Sequence, residues 1–208
     1  MVLLAYAAPR EGEGVAAALV GRHDVQLVEV GVGKTSAASR LTERLLRGPA
    51  CEYVVLLGVA GAHRGAGLSV GDVCMVAEDQ LADEGVETPQ GFVALDALRL
   101  GSVGPFLPDQ LRTQAWAQDL SLPVVRAATV SRCSGTNASA EALAQRTRTA
   151  IETMENAALA WVCTRWGVPW IGVRAISNYT GDRDEQAWRF DAALDRLTAA
   201  IVTQLSKA

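Results

Sequence analysis

The amino-acid sequence predicts an α/β protein built around a mostly parallel sheet. Short apolar segments typical of strands alternate with Ala- and Leu-rich segments typical of helices over most of the chain. This alternation is the pattern of strands joined by crossover helices, which cover the sheet. The 208 residues are enough for a sizeable core, so we expect a single domain over residues 1–208.

The predicted strands are short apolar runs, and the chain begins with one of them. Residues 1–8 end in small residues as a signal peptide does, but no basic stretch precedes their short apolar core, so we interpret them as a strand. The predicted strands are Val2–Ala7, Val25–Val30, Tyr53–Leu57, Val70–Ala77, Val124–Val130 and Trp170–Ile176.

The predicted helices lie between these strands and after the last one. In the last helix, apolar residues recur at spacings of three and four, which gives one buried stripe. The predicted helices are Val15–Val20, Thr35–Leu46, Ala140–Thr147, Ala157–Trp166 and Asp184–Leu205. Residues 79–122 interrupt the alternation with prolines, glycines and little periodicity, so we expect an irregular insertion there that serves as a lid, a pocket wall or an oligomer contact.

Composition and charge exclude several classes of protein. Half of the residues are hydrophobic and the net charge is −4, which disfavours a nucleic-acid-binding or anionic-membrane surface. The four cysteines have no paired spacing and the two histidines are far apart, so we expect reduced thiols, no metal and no cofactor. No apolar stretch is long enough to span a bilayer, and we expect a cytoplasmic protein.

The glycine-rich segment Gly31–Thr35 follows a strand and opens a helix. A phosphate-binding loop would need glycine where Val28 stands, and a Rossmann fingerprint would need it at Ser36, so both motifs fail. Either a tight turn or a turn that brings backbone N–H groups to a ligand remains. The same two alternatives, packing or the approach of a flat ligand, apply to Gly58–Gly61.

Four polar side chains stand out at the ends of predicted strands or the starts of helices. Arg174 and Asn178 lie on the last strand at positions that share one face, where α/β proteins bind ligands. Glu155 either complements a helix dipole or accepts two hydrogen bonds from a vicinal diol, with Met154 as an apolar wall. Glu11, after the first strand, is either a solvated surface group or a base that takes a proton from water.

These segments, in this order, resemble the purine nucleoside phosphorylase/nucleosidase superfamily over nearly the whole chain. The resemblance rests on Val32–Ala38, Gly58–Gly61, Val70–Val73, Met154–Glu155 with its Ala-Ala helix, and Val173–Ser177. Three further stretches, Asp83–Glu87, Thr129–Thr136 and Ser177–Asp184, are more specifically similar to the futalosine hydrolase family. The resemblance implies a three-layer α/β/α sandwich with a mixed, mostly parallel sheet.

The resemblance also implies roles for single residues. Glu11 would activate the attacking water with Arg174 nearby, and Met154 and Glu155 would hold the ribose. Val59 stands where related nucleosidases have a serine near the water. Asn178 stands where they have an aspartic acid that protonates adenine.

The amide at position 178 favours a 6-oxopurine, because its N–H groups can donate to both O6 and N7. An amide gives up no proton, so N7 of the leaving base would be stabilised by hydrogen bonding, or protonated through water or Asp182. The implied reaction is hydrolysis of futalosine to hypoxanthine and dehypoxanthine futalosine, in menaquinone biosynthesis. The alternatives are a methylthioadenosine/S-adenosylhomocysteine-type nucleosidase, a phosphorylase, and a non-catalytic nucleoside-binding protein.

The remaining expectations concern the rest of the substrate and the assembly. Gly61 would face the purine, and Arg132 and Phe92 are candidates for gripping the carboxyphenyl end of futalosine. The expected partners are a small purine nucleoside substrate and, by family resemblance, other copies of the chain in a homo-oligomer, with no nucleic acid and no membrane.

Overall fold

The computed structural model describes residues 1–207, which form nine strands, six α-helices and one 3-10 helix, Arg183–Glu185. The strands are β1 (Val2–Tyr6), β2 (Val25–Glu29), β3 (Tyr53–Ala62), β4 (Val73–Leu81), β5 (Gly85–Thr88), β6 (Gly91–Ala94), β7 (Val124–Thr129), β8 (Ile151–Thr153) and β9 (Trp170–Tyr179). The helices are α1 (Pro9–Ala18), α2 (Lys34–Arg47), α3 (Gln110–Leu120), α4 (Asn137–Thr147), α5 (Asn156–Trp166) and α6 (Phe190–Leu205).

Seven strands form one mixed sheet in the order β2-β1-β3-β8-β7-β4-β9. Strand β9 also pairs with β3, so the five strands β3, β8, β7, β4 and β9 close on themselves, and β1 and β2 extend the sheet from β3. The β3–β8 and β4–β9 pairs are antiparallel, and the other pairs of this sheet are parallel. The α/β class is confirmed, and the three-layer sandwich stays a prediction.

Two apolar clusters lie on opposite faces of the strands, as the two-residue period of a strand requires. In β3, Val54 and Leu56 pack into the cluster that contains buried residues of α2 and α5. Val55 and Leu57 pack into the cluster that contains buried residues of α1, α3 and α6. The strands are therefore apolar on both faces, and polar side chains that are buried concentrate where the strands end.

The bounds and number of the predicted helices and strands differ from the observed ones in three places. Helix α6 begins at Phe190 and not at Asp184, because Gln186 folds inward to donate to the carbonyls of Ser134 and Gly181 at 2.9 and 2.7 Å. Residues 79–122 are more ordered than predicted: they contain the end of β4, the hairpin β5–β6 and helix α3, which begins after the capping residue Asp109. Strand β8, with three residues, is too short for its alternation to be recognised.

Candidate functional site

A cavity of about 210 Å³ opens where β1, β3 and β9 end and where α1 and α5 begin. Mixed carboxylate, amide, hydroxyl and apolar groups form its wall. The lining residues are Ala7, Ala8, Glu11, Val32, Val59, Ala60, Gly61, Cys133, Ser134, Glu152, Thr153, Met154, Glu155, Ser177, Asn178, Thr180, Gln186, Trp188 and Phe190. Five of the residues predicted from the sequence, Glu11, Gly61, Met154, Glu155 and Asn178, are among them.

Glu11 reaches the cavity from the first turn of α1 and is 6% exposed. Pro9 begins this helix, where the missing N–H of proline costs no hydrogen bond. One oxygen of the Glu11 carboxylate accepts from the N–H groups of Ala7 and Ala8 at 2.9 and 3.1 Å, and the other accepts from the N–H of Val59 at 2.9 Å. Three backbone donors, two in the turn between β1 and α1 and one in β3, thus fix this carboxylate.

Arg174 is 1% exposed and lies behind the cavity wall rather than in it. A Cβ at Gly58 would overlap both Arg174 Nη1 and Glu11 Oε1, so glycine at this position lets the cation and the carboxylate approach the same point of β3. Arg174 Nη2 donates to Asn156 Oδ1 at 2.6 Å. The sequence-based expectation that Arg174 lies near Glu11 therefore agrees with the geometry.

A buried carboxylate, Asp79, completes the support of Arg174. Asn156 Nδ2 donates to Asp79 Oδ2 at 2.7 Å, and Thr129 Oγ1 donates to the same oxygen at 3.1 Å. Burial raises the pKa of Asp79 to about 6, against the lowering effect of these hydrogen bonds. The hydrogen bonds from Asn156 to Asp79 and from Arg174 to Asn156 therefore connect the core to the part of the cavity that contains Glu11.

Glu155 precedes α5 and points into the cavity beside Met154. Its Oε1 accepts from the N–H of Gly33 at 2.8 Å, and Gly33 has a φ of 88°, a conformation that favours glycine. Burial raises the pKa of Glu155, Arg174 lowers it, and the charge of Glu11 raises it. The glycine-rich segment before α2 therefore supplies a backbone N–H to a side chain of the cavity wall, which neither of the two predicted alternatives described.

Asn178 lines the cavity, is 3% exposed and pairs with Gly61 of β3, two residues beyond Val59, whose N–H binds Glu11. The pairing of β3 with β9 shifts between Ala60 and Gly61, which leaves Ser177 as an extra residue. Because of this bulge, Ser177 and Asn178 both line the cavity, whereas simple alternation predicted one side chain in two. Ser177 Oγ donates to Asn178 Oδ1 at 2.8 Å, and Asn178 Nδ2 donates to the Tyr179 carbonyl at 3.0 Å.

Glu152 is a site residue that the sequence-based prediction did not include, since it named only Met154 and Glu155 in this stretch. It lies on β8, is 4% exposed and lines the cavity. Ser134 donates to it twice, from its N–H at 2.8 Å and from its hydroxyl at 2.5 Å. Trp188 and Phe190 also line the cavity but were not predicted to, because their stretch was predicted to be part of a helix. The feature of the sequence that could have indicated their role is a tryptophan among polar residues just before the apolar stripe of that helix.

The structure does not bring three other predicted residues into the wall of this cavity. The carboxylate of Asp182 accepts from the backbone and side-chain N–H groups of Asn137 at 2.8 and 2.7 Å, at the start of α4. Phe92, on β6, lies under the guanidinium of Arg146, whose Cζ is 4.2 Å from the ring centroid. Arg132 is exposed on the loop after β7. Substrate contacts of these residues stay predictions.

Residues 1–207 contain no group of three or more His, Cys, Asp or Glu side chains arranged to hold a metal ion. Within the same range, none of the helices is both long and apolar enough to cross a membrane. The four cysteines are free thiols.

Fold and sequence together define the class of this protein. The family model of the phosphorylase superfamily matches residues 5–206. The crystal structure of the 5′-methylthioadenosine/S-adenosylhomocysteine nucleosidase from Helicobacter pylori superposes with a TM-score of 0.82, covering 100% of this chain and 98% of that one. The two are 16% identical, so this likeness shows the fold alone.

Two curated relatives are similar to this chain in sequence as well. The futalosine hydrolase of Thermus thermophilus is 37% identical over 177 residues, which are 84% of this chain and 78% of that protein. The futalosine hydrolase of Streptomyces coelicolor is 33% identical over 180 residues, 84% of this chain and 76% of that protein. The chain therefore belongs to the futalosine hydrolase family of the phosphorylase superfamily.

Proposed function

We propose that this protein hydrolyses the N-glycosidic bond of futalosine and releases hypoxanthine and dehypoxanthine futalosine, a step of menaquinone biosynthesis. The observation that carries the proposal is one cavity lined by two buried carboxylates, Glu11 and Glu155, and by a buried amide, Asn178. Glu11 binds the N–H of Val59, and Asn178 pairs with Gly61 two residues further along β3, so we call these parts of the cavity the sugar end and the base end. Such a cavity suits a cationic sugar between a water and a neutral base. Membership of the futalosine hydrolase family selects the substrate.

The ribose binds at the Glu155 end of the cavity. The carboxylate has about four acceptor positions and uses one on the Gly33 N–H, which leaves capacity for the 2′- and 3′-hydroxyls. Met154 provides an apolar surface against the sugar ring. This arrangement orients the anomeric carbon toward Glu11.

Glycosidic cleavage proceeds through an oxocarbenium-like transition state, in which the C1′–N9 bond lengthens and its electron pair moves to the base. Glu11 and Glu155 place negative charge beside the cation that develops on the sugar. Glu11 orients a water molecule and takes its proton as the water oxygen bonds to C1′. Arg174 acts from behind as a positioning residue, because it lies beside Glu11 and outside the cavity wall.

The base leaves at the Asn178 end, across Gly61. One N–H of the side-chain amide is bound to the Tyr179 carbonyl, so the other donates a hydrogen bond that N7 and O6 of hypoxanthine share, which stabilises the electron pair that the base receives. Asp182 is held by Asn137 and lies outside the wall, so we propose water as the donor of the base's proton. The cytoplasmic location, the homo-oligomer and the contacts of Arg132 and Phe92 with the carboxyphenyl group remain part of the proposal.

The test is incubation of the purified protein with futalosine, inosine and methylthioadenosine, each with and without phosphate, followed by chromatography of the free base. The expected result is phosphate-independent release of hypoxanthine from futalosine. Faster release of adenine from methylthioadenosine would favour the alternative nucleosidase, and an absolute need for phosphate would favour a phosphorylase. Binding of futalosine without release of any base would identify a nucleoside-binding protein.

A further inference from the structure

Glu152 is a buried carboxylate in the cavity that the proposed mechanism does not use. Ser134 donates two hydrogen bonds to it, one to each oxygen. Burial raises the pKa of Glu152, against the lowering effect of hydrogen bonds from Ser134 and Cys133. A carboxylate has about four acceptor positions, so these donors leave capacity for one from a ligand. A donor from a ligand would offset part of the cost of burying this charge.

The sheet places Glu152 and Asn178 on either side of Gly61. Gly61 pairs with Glu152 of β8 in the antiparallel direction and with Asn178 of β9 in the parallel direction. Neighbouring strands are about 4.8 Å apart, so the two flanking backbones are separated by roughly twice that distance. Because Gly61 has no side chain, a gap remains between an amide and a carboxylate, and a flat ring can enter it.

The edge of hypoxanthine carries three groups in a fixed order: the acceptor N7, the acceptor O6 and the donor N1–H. Asn178 Nδ2 has two hydrogens and donates one of them to the Tyr179 carbonyl, so the other is available. The wall therefore offers a matching order: the free N–H of Asn178, which N7 and O6 can share, and then, across Gly61, the carboxylate of Glu152. A donor of the wall thus faces the two acceptors of the base, and an acceptor of the wall faces the donor N1–H.

We infer that Glu152 accepts the N1–H of the purine and, with Asn178, selects a 6-oxopurine over a 6-aminopurine. Adenine has a lone pair at N1 where hypoxanthine has a hydrogen, so an ionised Glu152 would repel it. The 6-amino group of adenine would likewise face the N–H of Asn178. This inference rests on the proposed function, because it assumes that a purine occupies this end of the cavity.

The test measures the binding of free bases and does not depend on turnover. Dissociation constants of hypoxanthine and adenine are measured by calorimetry for the unmodified protein, for Glu152→Gln and for Glu141→Gln. The Glu141 change is the matched control, since it replaces an exposed glutamate of α4 by the same amide. A hydrogen bond to a charged group predicts that Glu152→Gln weakens hypoxanthine binding by about 10- to 100-fold. Adenine should bind no more weakly, because a glutamine N–H can donate to its N1.

Equal weakening of both bases, or no change in the ratio of their dissociation constants, would overturn the inference and leave Glu152 as a support of the Ser134 loop. A second comparison guards against misfolding of the variant, because it uses only the unmodified protein. We expect 1-methylhypoxanthine, which lacks the N1–H, to bind at least about 10-fold more weakly than hypoxanthine, and equal binding would contradict the inference.

These outcomes are separate from those of the proposed function. If the protein selects hypoxanthine through Glu152 but cleaves no futalosine, the base site is correct and the proposed reaction is wrong. If it cleaves futalosine while Glu152→Gln keeps the base preference, the reaction is correct and Glu152 is not the selecting residue.

Discussion

The two ends of the cavity are held in place by different parts of the chain. At the sugar end, Glu11 accepts from three backbone N–H groups and Glu155 accepts from one. At the base end, serine hydroxyls donate to Asn178 and Glu152, and each of these two residues also has one backbone partner, the Tyr179 carbonyl and the Ser134 N–H. The carboxylates of the sugar end are thus held by backbone groups, whereas half of the hydrogen bonds at the base end come from exchangeable side chains.

This difference separates the two tasks of a nucleosidase. Groups that contact the reacting carbon need fixed positions, because a small misplacement is costly in rate. Groups that recognise the base need the right pattern of donors and acceptors, which a change of one or two side chains can alter. Substitutions at the sugar end should therefore lower the rate for every substrate, whereas those at the base end should change the preference among substrates.

The largest effect is expected from Glu11→Gln, which removes the carboxylate that we propose takes the proton from water. General acid–base catalysis contributes about 10²- to 10⁴-fold, so kcat should fall by that factor for futalosine and inosine alike. The amide would also face a backbone N–H, which costs on the order of 1–3 kcal/mol of stability, so circular dichroism should accompany the kinetics.

Glu13→Gln is the matched control for this variant, because Glu13 lies two residues further along α1 and is exposed. Its kcat should equal that of the unmodified protein. A folded Glu11→Gln protein with near-normal turnover would remove Glu11 from the reaction and with it the contrast between the two ends.

The next effect is expected from Glu155→Gln at the other carboxylate of the sugar end. Loss of charged hydrogen bonds to the ribose hydroxyls should lower kcat/KM by about 10- to 100-fold for ribosides of either base. The comparison of inosine with 2′-deoxyinosine measures the contact directly, because the deoxy substrate already lacks one hydroxyl. If the variant kept the full preference for inosine, Glu155 would not hold the 2′-hydroxyl.

Asp79→Asn tests the buried support behind the sugar end through the pH dependence of stability. The folded pKa of Asp79 is about 6, above the ordinary value of 3.8, because the carboxyl is buried. Between these values the native state binds more protons than the unfolded state, so this group stabilises the protein at low pH, and that stability is lost as pH rises toward about 6. At 1.36 kcal/mol per unit, the loss is of the order of 3 kcal/mol.

Urea unfolding of both proteins between about pH 4 and pH 7 measures this effect as a difference. Relative to the unmodified protein, Asp79→Asn should gain stability as pH rises through that window. His63, whose pKa burial lowers to about 4, has the opposite dependence, but it is present in both proteins and cancels in the difference. A difference that stays constant with pH would show that Asp79 does not titrate there.

The sequence predicted the sugar end better than the base end, for a physical reason. Glu11, Met154 and Glu155 lie at boundaries between strand and helix, and such boundaries can be recognised from composition. The position of Glu152 depends on an antiparallel pairing between β8 and β3, across ninety residues of chain, which no local pattern shows. The bulge that turns both Ser177 and Asn178 into the cavity is likewise a property of the pairing.

The closure of five strands into a ring could also not be predicted from local sequence patterns. Alternation of strands and helices predicts the α/β class, since each apolar strand needs covering on both faces. It does not determine which strands pair at the edges, and here β9 pairs with both β4 and β3. Arg174 could be placed near Glu11 by resemblance, but its partner Asn156 and the buried Asp79 behind it were visible only in the structure.

The smallest effect is expected from Gly61→Ala, which narrows the gap at the base end. The added Cβ would lie 2.9 Å from Thr180 Cγ2 and 3.4 Å from Asn178 Nδ2, so the Thr180 methyl must shift by a few tenths of an ångström. Overpacking of this kind costs about 1 kcal/mol at the low end of its range, which predicts a rise in KM of roughly fivefold for purine nucleosides. The catalytic constant should stay close to that of the unmodified protein, because the sugar end is untouched.

Gly14→Ala is the matched control, since its Cβ would crowd Thr198 Oγ1 at 2.7 Å outside the cavity. A fall in kcat rather than a rise in KM for Gly61→Ala would mean that the two ends are mechanically coupled, and the division between a fixed sugar end and an adjustable base end would fail.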